Sequence, residues 1–118
     1  MPRDPNVYLE DILSAIEFIE SFIQGFSKNN LEDDPKTLHA VIRDLEVIGE
    51  AVKHLPDETK NLSHQIEWKK IAGLRDILIH EYFGIDIEII WDVITHKIPD
   101  LKNAVKALID LAKKEESS

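Results

Sequence analysis

No cysteine occurs among the 118 residues, which excludes disulfides, thiolate metal sites and a cysteine nucleophile, and leaves nothing that points to an oxidising compartment. No uninterrupted apolar run approaches the roughly 20 residues that span a bilayer, and Met1-Pro2-Arg3-Asp4-Pro5 carries no apolar signal core. A cytoplasmic protein with no membrane contact is expected. Positive charge is scarce: 14 Lys and Arg stand against 23 Asp and Glu, for a net charge of −9. Such a balance repels polyanions at long range and argues against broad electrostatic binding of nucleic acid. A local site can still be positive if two subunits pool their arginines and lysines, and a basic protein partner would suit the same surface. Gly-rich segments, internal repeats, low-complexity blocks and the two-residue alternation of a half-buried strand are all missing.

What is present is ordinary for helices with one wet face, with 43% hydrophobic and 31% charged residues. The length fits one compact domain over residues 1–118, with residues 113–118 as a flexible polar tail. From Val7 to Phe26, Leu9, Ile12, Ile16, Ile19 and Ile23 recur at steps of three and four, so a first amphipathic helix is predicted to stop near Gly25. Ser27 to Asp33 reads as a loop. Asp34-Pro35 is a good helix start, because the aspartate caps free amides and proline is tolerated in the first turn. Leu38, Val41, Ile42, Leu45, Ile48 and Val52 then form a second stripe that ends at Pro56. Gly49 and Ala51 within it suit close helix contact.

A single turn is expected at Asp57 to Asn61. A third long helix follows from Glu67 to Gly84, through Trp68, Ile71, Leu74 and Leu78. Asp86 can cap a further helix with Ile87, Ile90, Trp91 and Ile94, and Pro99 either interrupts it or opens a last one through Leu101, Val105, Leu108 and Leu111. The expected fold is an all-α, up-and-down bundle of four to five helices.

One stretch of the third long helix stands out chemically: Arg75-Asp76-Ile77-Leu78-Ile79-His80-Glu81-Tyr82, an R-x4-H-x-Y pattern in an aliphatic setting. At about 100° per residue, Asp76 and His80 project within about 40° of each other, so the carboxylate can orient the imidazole and favour its charged form. By the same arithmetic Arg75 lies about 140° from His80, while Tyr82 returns nearly under Arg75. One helix does not converge all three. Either its end unwinds near Tyr82 or a second copy completes the site, and symmetric pairing would set two arginines and two histidines about one cleft. RNA brings its own nucleophile, the 2′-hydroxyl; a histidine to move the proton and an arginine to hold the phosphate then suffice, with no metal. Spacing alone also admits a plainer account, in which His80 sits near a helix C-terminus for the dipole, Arg75 is a solvated charge and Tyr82 is packing.

The motif resembles the signature of the HEPN ribonucleases, and most closely that of the HepT-like toxins. The likeness extends to Glu67-Trp68-Lys69-Lys70-Ile71-Ala72-Gly73-Leu74 ahead of Arg75, to Glu81-Tyr82-Phe83-Gly84-Ile85-Asp86 and Trp91 after it, and to Ile48-Gly49-Glu50-Ala51 in the second long helix. The resemblance implies a HEPN-like, homodimeric, all-helical toxin: a metal-independent endoribonuclease that needs no cofactor, paired with a minimal nucleotidyltransferase antitoxin. By position, Arg75 and His80 match the catalytic pair, Asp76 the polar residue that often follows the arginine, and Tyr82 the tyrosine that receives AMP.

Two other readings compete. In one, the helical dimer is a non-catalytic module that binds a nucleotidyltransferase or a nucleotide, which the charge of −9 suits. In the other, Glu46, Glu50 and His54, four apart along one helix face, bind metal, although the Glu-x-x-His motif of di-metal bundles is absent. His39, His64 and His96 stand apart in sequence and read as surface or capping residues.

Overall fold

The computed structural model describes the backbone of residues 4–80 and 86–117, and the side chains of residues 4–74 and 86–115. Helix α1 spans Pro5–Ile23, and its free amides meet the Asp4 carboxylate, which accepts from the Asn6 N–H at 2.9 Å. Pro5 occupies the first turn, where its missing N–H costs nothing. The chain then reverses through a type II turn: Gln24 is extended, Gly25 takes φ 78°, and the Phe26 N–H donates to the Ile23 carbonyl at 2.8 Å. A side chain at Gly25 would be strained by that φ.

The stretch expected to be a loop contains a short helix, α2, over Lys28–Glu32. Ser27 and Asn30 form a reciprocal capping box, at 3.1 Å from the Asn30 N–H to the Ser27 hydroxyl and 2.9 Å from the Ser27 N–H to the Asn30 side chain. Leu31 is fully buried and ties this turn to the core. Five residues are too few to show a period, so the sequence pattern missed it.

Helix α3 covers Pro35–His54, starting where Asp34-Pro35 predicts and ending before Pro56. The Asp34 carboxylate accepts from both the N–H and the hydroxyl of Thr37, at 3.2 and 2.9 Å, and these bonds hold its pKa below the usual value. Helix α4 is the anticipated short turn at Asp57–Asn61. Helix α5 runs over Trp68–His80; residues 81–85, where the expected stop at Gly84 falls, lie outside the described residues.

Helix α6, Ile87–Asp92, begins at Asp86, whose side chain accepts from the Glu88 N–H at 3.0 Å. Pro99 does not interrupt the chain. Residues 93–97 instead widen into a π-helical turn that leads directly into α7, Ile98–Ser117, with Pro99 in its first turn. Because Pro99 has no N–H, the ladder must change there, and a π turn is one way to accommodate it. The Thr95 hydroxyl donates to the Trp91 carbonyl at 2.6 Å within that turn. Helix α7 continues to Ser117, through the stretch assigned to a polar tail.

Four long helices, α1, α3, α5 and α7, form the bundle, and no strand occurs among the described residues. Helix α3 packs between α1 and α5, and α7 lies on the other side of α1. The core is made of Leu9, Ile12, Ile16 and Ile19 from α1, Val41, Leu45, Ile48 and Val52 from α3, and Leu101 and Val105 from α7. Each such side chain contributes roughly 1.5–3 kcal/mol on burial. Gly49 and Ala51 are buried on α3, as the close-contact reading of these small residues anticipates.

Candidate active site

Trp68 sets where the motif-bearing helix begins. Its indole N–H donates to the carbonyls of Lys60 and Ser63, both at 3.0 Å, and its ring is buried, so the connector after α4 is pinned to the first turn of α5. One residue earlier, Glu67 accepts from Lys70 at 2.6 Å; that bond, then the lysine's charge, lowers the Glu67 pKa, with a smaller pull from Lys97. Ile71 packs into the core from the inner face, while Lys69 and Lys70 are exposed.

From there the backbone is helical through positions 75, 76 and 80. Arg75, Asp76 and His80 therefore share one helix, and ideal geometry separates the first and last by about 7.5 Å along its axis. Their side chains lie outside the described residues, as does Tyr82 altogether. The helical register retains the angular relation expected from sequence: positions 76 and 80 share a stripe, and position 75 is turned away from it.

A groove of about 370 Å³ runs beside the first half of α5, between that helix and the π-helical turn. Ile66, Ile71, Leu74 and Val93 give it an apolar floor, and Lys97 and Asp100 stand on the far wall. The expectation of a bundle of four to five packed helices does not include this gap.

The metal reading does not hold. Among the described residues no group of three His, Asp or Glu side chains could hold an ion. Glu46 faces Arg43 at 3.7 Å, Glu50 meets His54 at 3.3 Å, and the His54 ring stacks on Tyr8 at a centroid distance of 5.3 Å. Even spacing along one helix face therefore leads to local ion pairs and an aromatic contact. Of the other histidines, His39 and His64 are exposed, and His96 pairs with Asp92 at 3.0 Å on the π turn.

Two ion pairs join separate helices, with Lys102 donating to Glu20 at 2.8 Å and Lys28 to Glu88. The bond to Glu20 raises the Lys102 pKa. Lys69 enters no ion pair among the described residues, and Gly73, one turn further along α5, has open space where a Cβ would stand. No helix among the described residues is long and apolar enough to cross a membrane.

Comparison with known proteins bears on the same region. The family described as "Ribonuclease HepT-like" matches residues 12–108. The chain is 44% identical over 111 residues to "Putative RNase TTE0752" of Caldanaerobacter subterraneus subsp. tengcongensis, covering 94% of this chain and 99% of that one. It is 45% identical over 120 residues to "Putative RNase MJ0127" of Methanocaldococcus jannaschii, covering 100% and 99%. It is also 44% identical over 108 residues to "Probable ribonuclease HepT" of Thermococcus cleftensis, covering 92% and 98%. No solved structure matches. With a family match that takes in α5 whole, and relatives aligned over 92% or more of its length, the chain belongs to the HepT-like ribonuclease family.

Proposed function

We propose that the chain is the toxin of a HEPN toxin–antitoxin pair: a homodimeric, metal-independent endoribonuclease whose activity is switched off by AMP on Tyr82. The observation that carries this reading is a complete R-x4-H-x-Y motif in a chain 44% identical, over nearly its full length, to a protein named as a ribonuclease. In the reaction, the RNA 2′-hydroxyl attacks the adjacent phosphorus, the bond from phosphorus to the 5′-oxygen breaks, and a 2′,3′-cyclic phosphate and a 5′-hydroxyl result. His80 takes or returns the proton, and the Arg75 guanidinium holds the non-bridging oxygens as charge develops. Asp76, one turn before His80, orients the imidazole.

Helix geometry supports a dimeric site. Arg75 and His80 diverge by about 140° on one helix, so two copies of α5 about a twofold axis are the simplest way to bring both groups to one phosphate. A monomer with unchanged activity at high dilution would sink this part. Tyr82 is the control point: a partner nucleotidyltransferase transfers AMP from ATP to its hydroxyl, releasing pyrophosphate. The added bulk and negative charge, two residues from His80, repel an RNA phosphate. Intact mass after incubation with that partner and ATP should rise by one AMP in wild type, and an equal gain on Tyr82→Phe refutes the assignment.

The deciding experiment is cleavage of RNA by the purified, unmodified dimer beside His80→Ala. Loss of acid–base help should slow cleavage about 10²- to 10⁴-fold. Arg75→Lys should also hurt, because the planar fork is lost. A second reading, a non-catalytic module that binds the nucleotidyltransferase or a nucleotide, draws on the net charge of −9. Harmless expression with no RNA cleavage favours it; toxicity that vanishes in Arg75→Ala or His80→Ala favours the enzyme.

A further inference from the structure

We propose that the RNA path continues along α5 from the motif, across Gly73 to Lys69, with Lys69 contacting a backbone phosphate and Gly73 leaving room for the strand to cross the helix. The inference rests on the ribonuclease reading and extends it to residues outside the motif.

Positions 69, 73, 76 and 80 are spaced by four, three and four, so on a continuous helix they fall on one stripe about 60° wide. The stripe that carries Asp76 and His80 thus reaches Gly73 and Lys69 two and three turns earlier. Gly73 is partly exposed inside α5, and a Cβ built on it would meet nothing within 4 Å. Glycine weakens a helix interior relative to alanine. No described atom comes within 4 Å of that position, and Gly73 borders the groove between α5 and the π-helical turn, so the glycine leaves a dip in the helix surface at the groove's edge.

Lys69 supplies the charge. Lys70, Lys102 and Lys28 are each neutralised by a glutamate, whereas Lys69, like Lys97 across the groove, is exposed and enters no ion pair among the described residues; of the two, only Lys69 shares the helical stripe of positions 76 and 80. In a chain of net charge −9, a cation left unspent beside the motif is where a polyanion can be held without a broadly basic surface. From position 69 to position 80 the axis rises about 16 Å, enough for a few nucleotides of a strand. A protein helix could also cross at Gly73, but it would not require the lysine on the histidine's stripe.

The test is binding of a 2′-O-methyl RNA oligonucleotide, which lacks the attacking hydroxyl, by the full-length protein across a salt series. Lys69→Gln should bind several-fold more weakly, and its slope of log affinity against log salt should fall by about 0.7, the value for one phosphate contact on a single strand. Lys106→Gln, an exposed α7 control, should match wild type. Gly73→Ala should raise the folding constant about fivefold yet bind RNA several-fold more weakly. An unchanged salt slope in Lys69→Gln, undiminished binding by Gly73→Ala, or losses explained by dimer dissociation in sedimentation would each overturn the proposal. Cleavage assays on the same proteins separate the two claims. If wild type and His80→Ala are equally inert, the ribonuclease reading fails. If wild type cleaves and both new variants bind and cleave like it, only this extension fails.

Discussion

Helices α1 and α3 on one side, and α5 with the π-helical turn on the other, are built to different standards. The first two run 19 and 20 residues, start at aspartate caps followed by proline, and supply core residues with no exposed surface, among them Ile12, Ile16, Val41 and Ile48. The third runs 13 residues, and its described half holds only Trp68 and Ile71 as buried side chains, both slightly exposed, beside partly open Ala72, Gly73 and Leu74. A groove of about 370 Å³ flanks it. Stability and the motif thus reside on different helices. The α1–α3 pair can hold the fold while the described half of α5 keeps an exposed Lys69 and open space beside Gly73 that a tightly packed helix would lose.

That contrast should be visible in stability measurements. Ile16→Ala, in the fully buried part of α1, should cost roughly 2–5 kcal/mol in denaturant unfolding, because the lost transfer energy adds to a cavity that helices on both sides keep from collapsing. A cost near zero would mean that α1 and α3 are not the stable half. Trp68→Phe should come next, at about 2 kcal/mol, since it strips the shared donor from the Lys60 and Ser63 carbonyls and Ser63 is buried. Near-ultraviolet circular dichroism should show the first turn of α5 loosening with it.

Leu74→Ala should cost only about 1 kcal/mol, because this side chain already borders open space and its removal enlarges a groove rather than making a closed cavity. If it proves as costly as Ile16→Ala, the groove is closed in solution and the contrast fails. The smallest effect is a pH dependence at the start of α3. The folded pKa of Asp34 lies below its unfolded value, so its contribution is complete above the ordinary aspartate range and is lost as pH falls through the folded pKa. Asp34→Asn keeps a capping side chain but does not titrate, so acid unfolding curves should show wild type losing stability relative to the variant in that window. Asp44 acts in the opposite sense: desolvation raises its pKa, so protonating it on acidification relieves a cost.

The long elements were legible because their information is local. A stripe at steps of three and four, a cap and a proline stop are sufficient for α1 and α3, and Asp34, Pro35 and Asp86 sit where the pattern places them. Helix α2 escaped because its case rests on a capping box and one buried leucine, Leu31, whose burial depends on α3. The π turn escaped for a related reason: Ile90, Ile94, Ile98 and Leu101 step by four, four and three, which an unbroken α-helix also satisfies. Lys113, Lys114 and Glu115 are exposed, which gives the pattern of a polar tail, yet lysine and glutamate are good helix formers and the helix runs on to Ser117. The spacing of Glu46, Glu50 and His54 was equally readable, but metal ligation needs convergence from several elements, and the structure instead sets Tyr8 against His54.

For the candidate site, residue types and their angular order around α5 come from the sequence, because both follow from identity and from the helical period. The chain's charge, its all-α class and its membership of the HepT-like ribonuclease family are likewise carried by the residues themselves. Only the tertiary structure decided that α5 is flanked by a groove, that Gly73 faces open space, and that Lys70 is paired while Lys69 is not. The groove depends on how two segments some twenty residues apart come to lie side by side, and the fate of each lysine depends on which carboxylate comes within reach; a local period encodes neither.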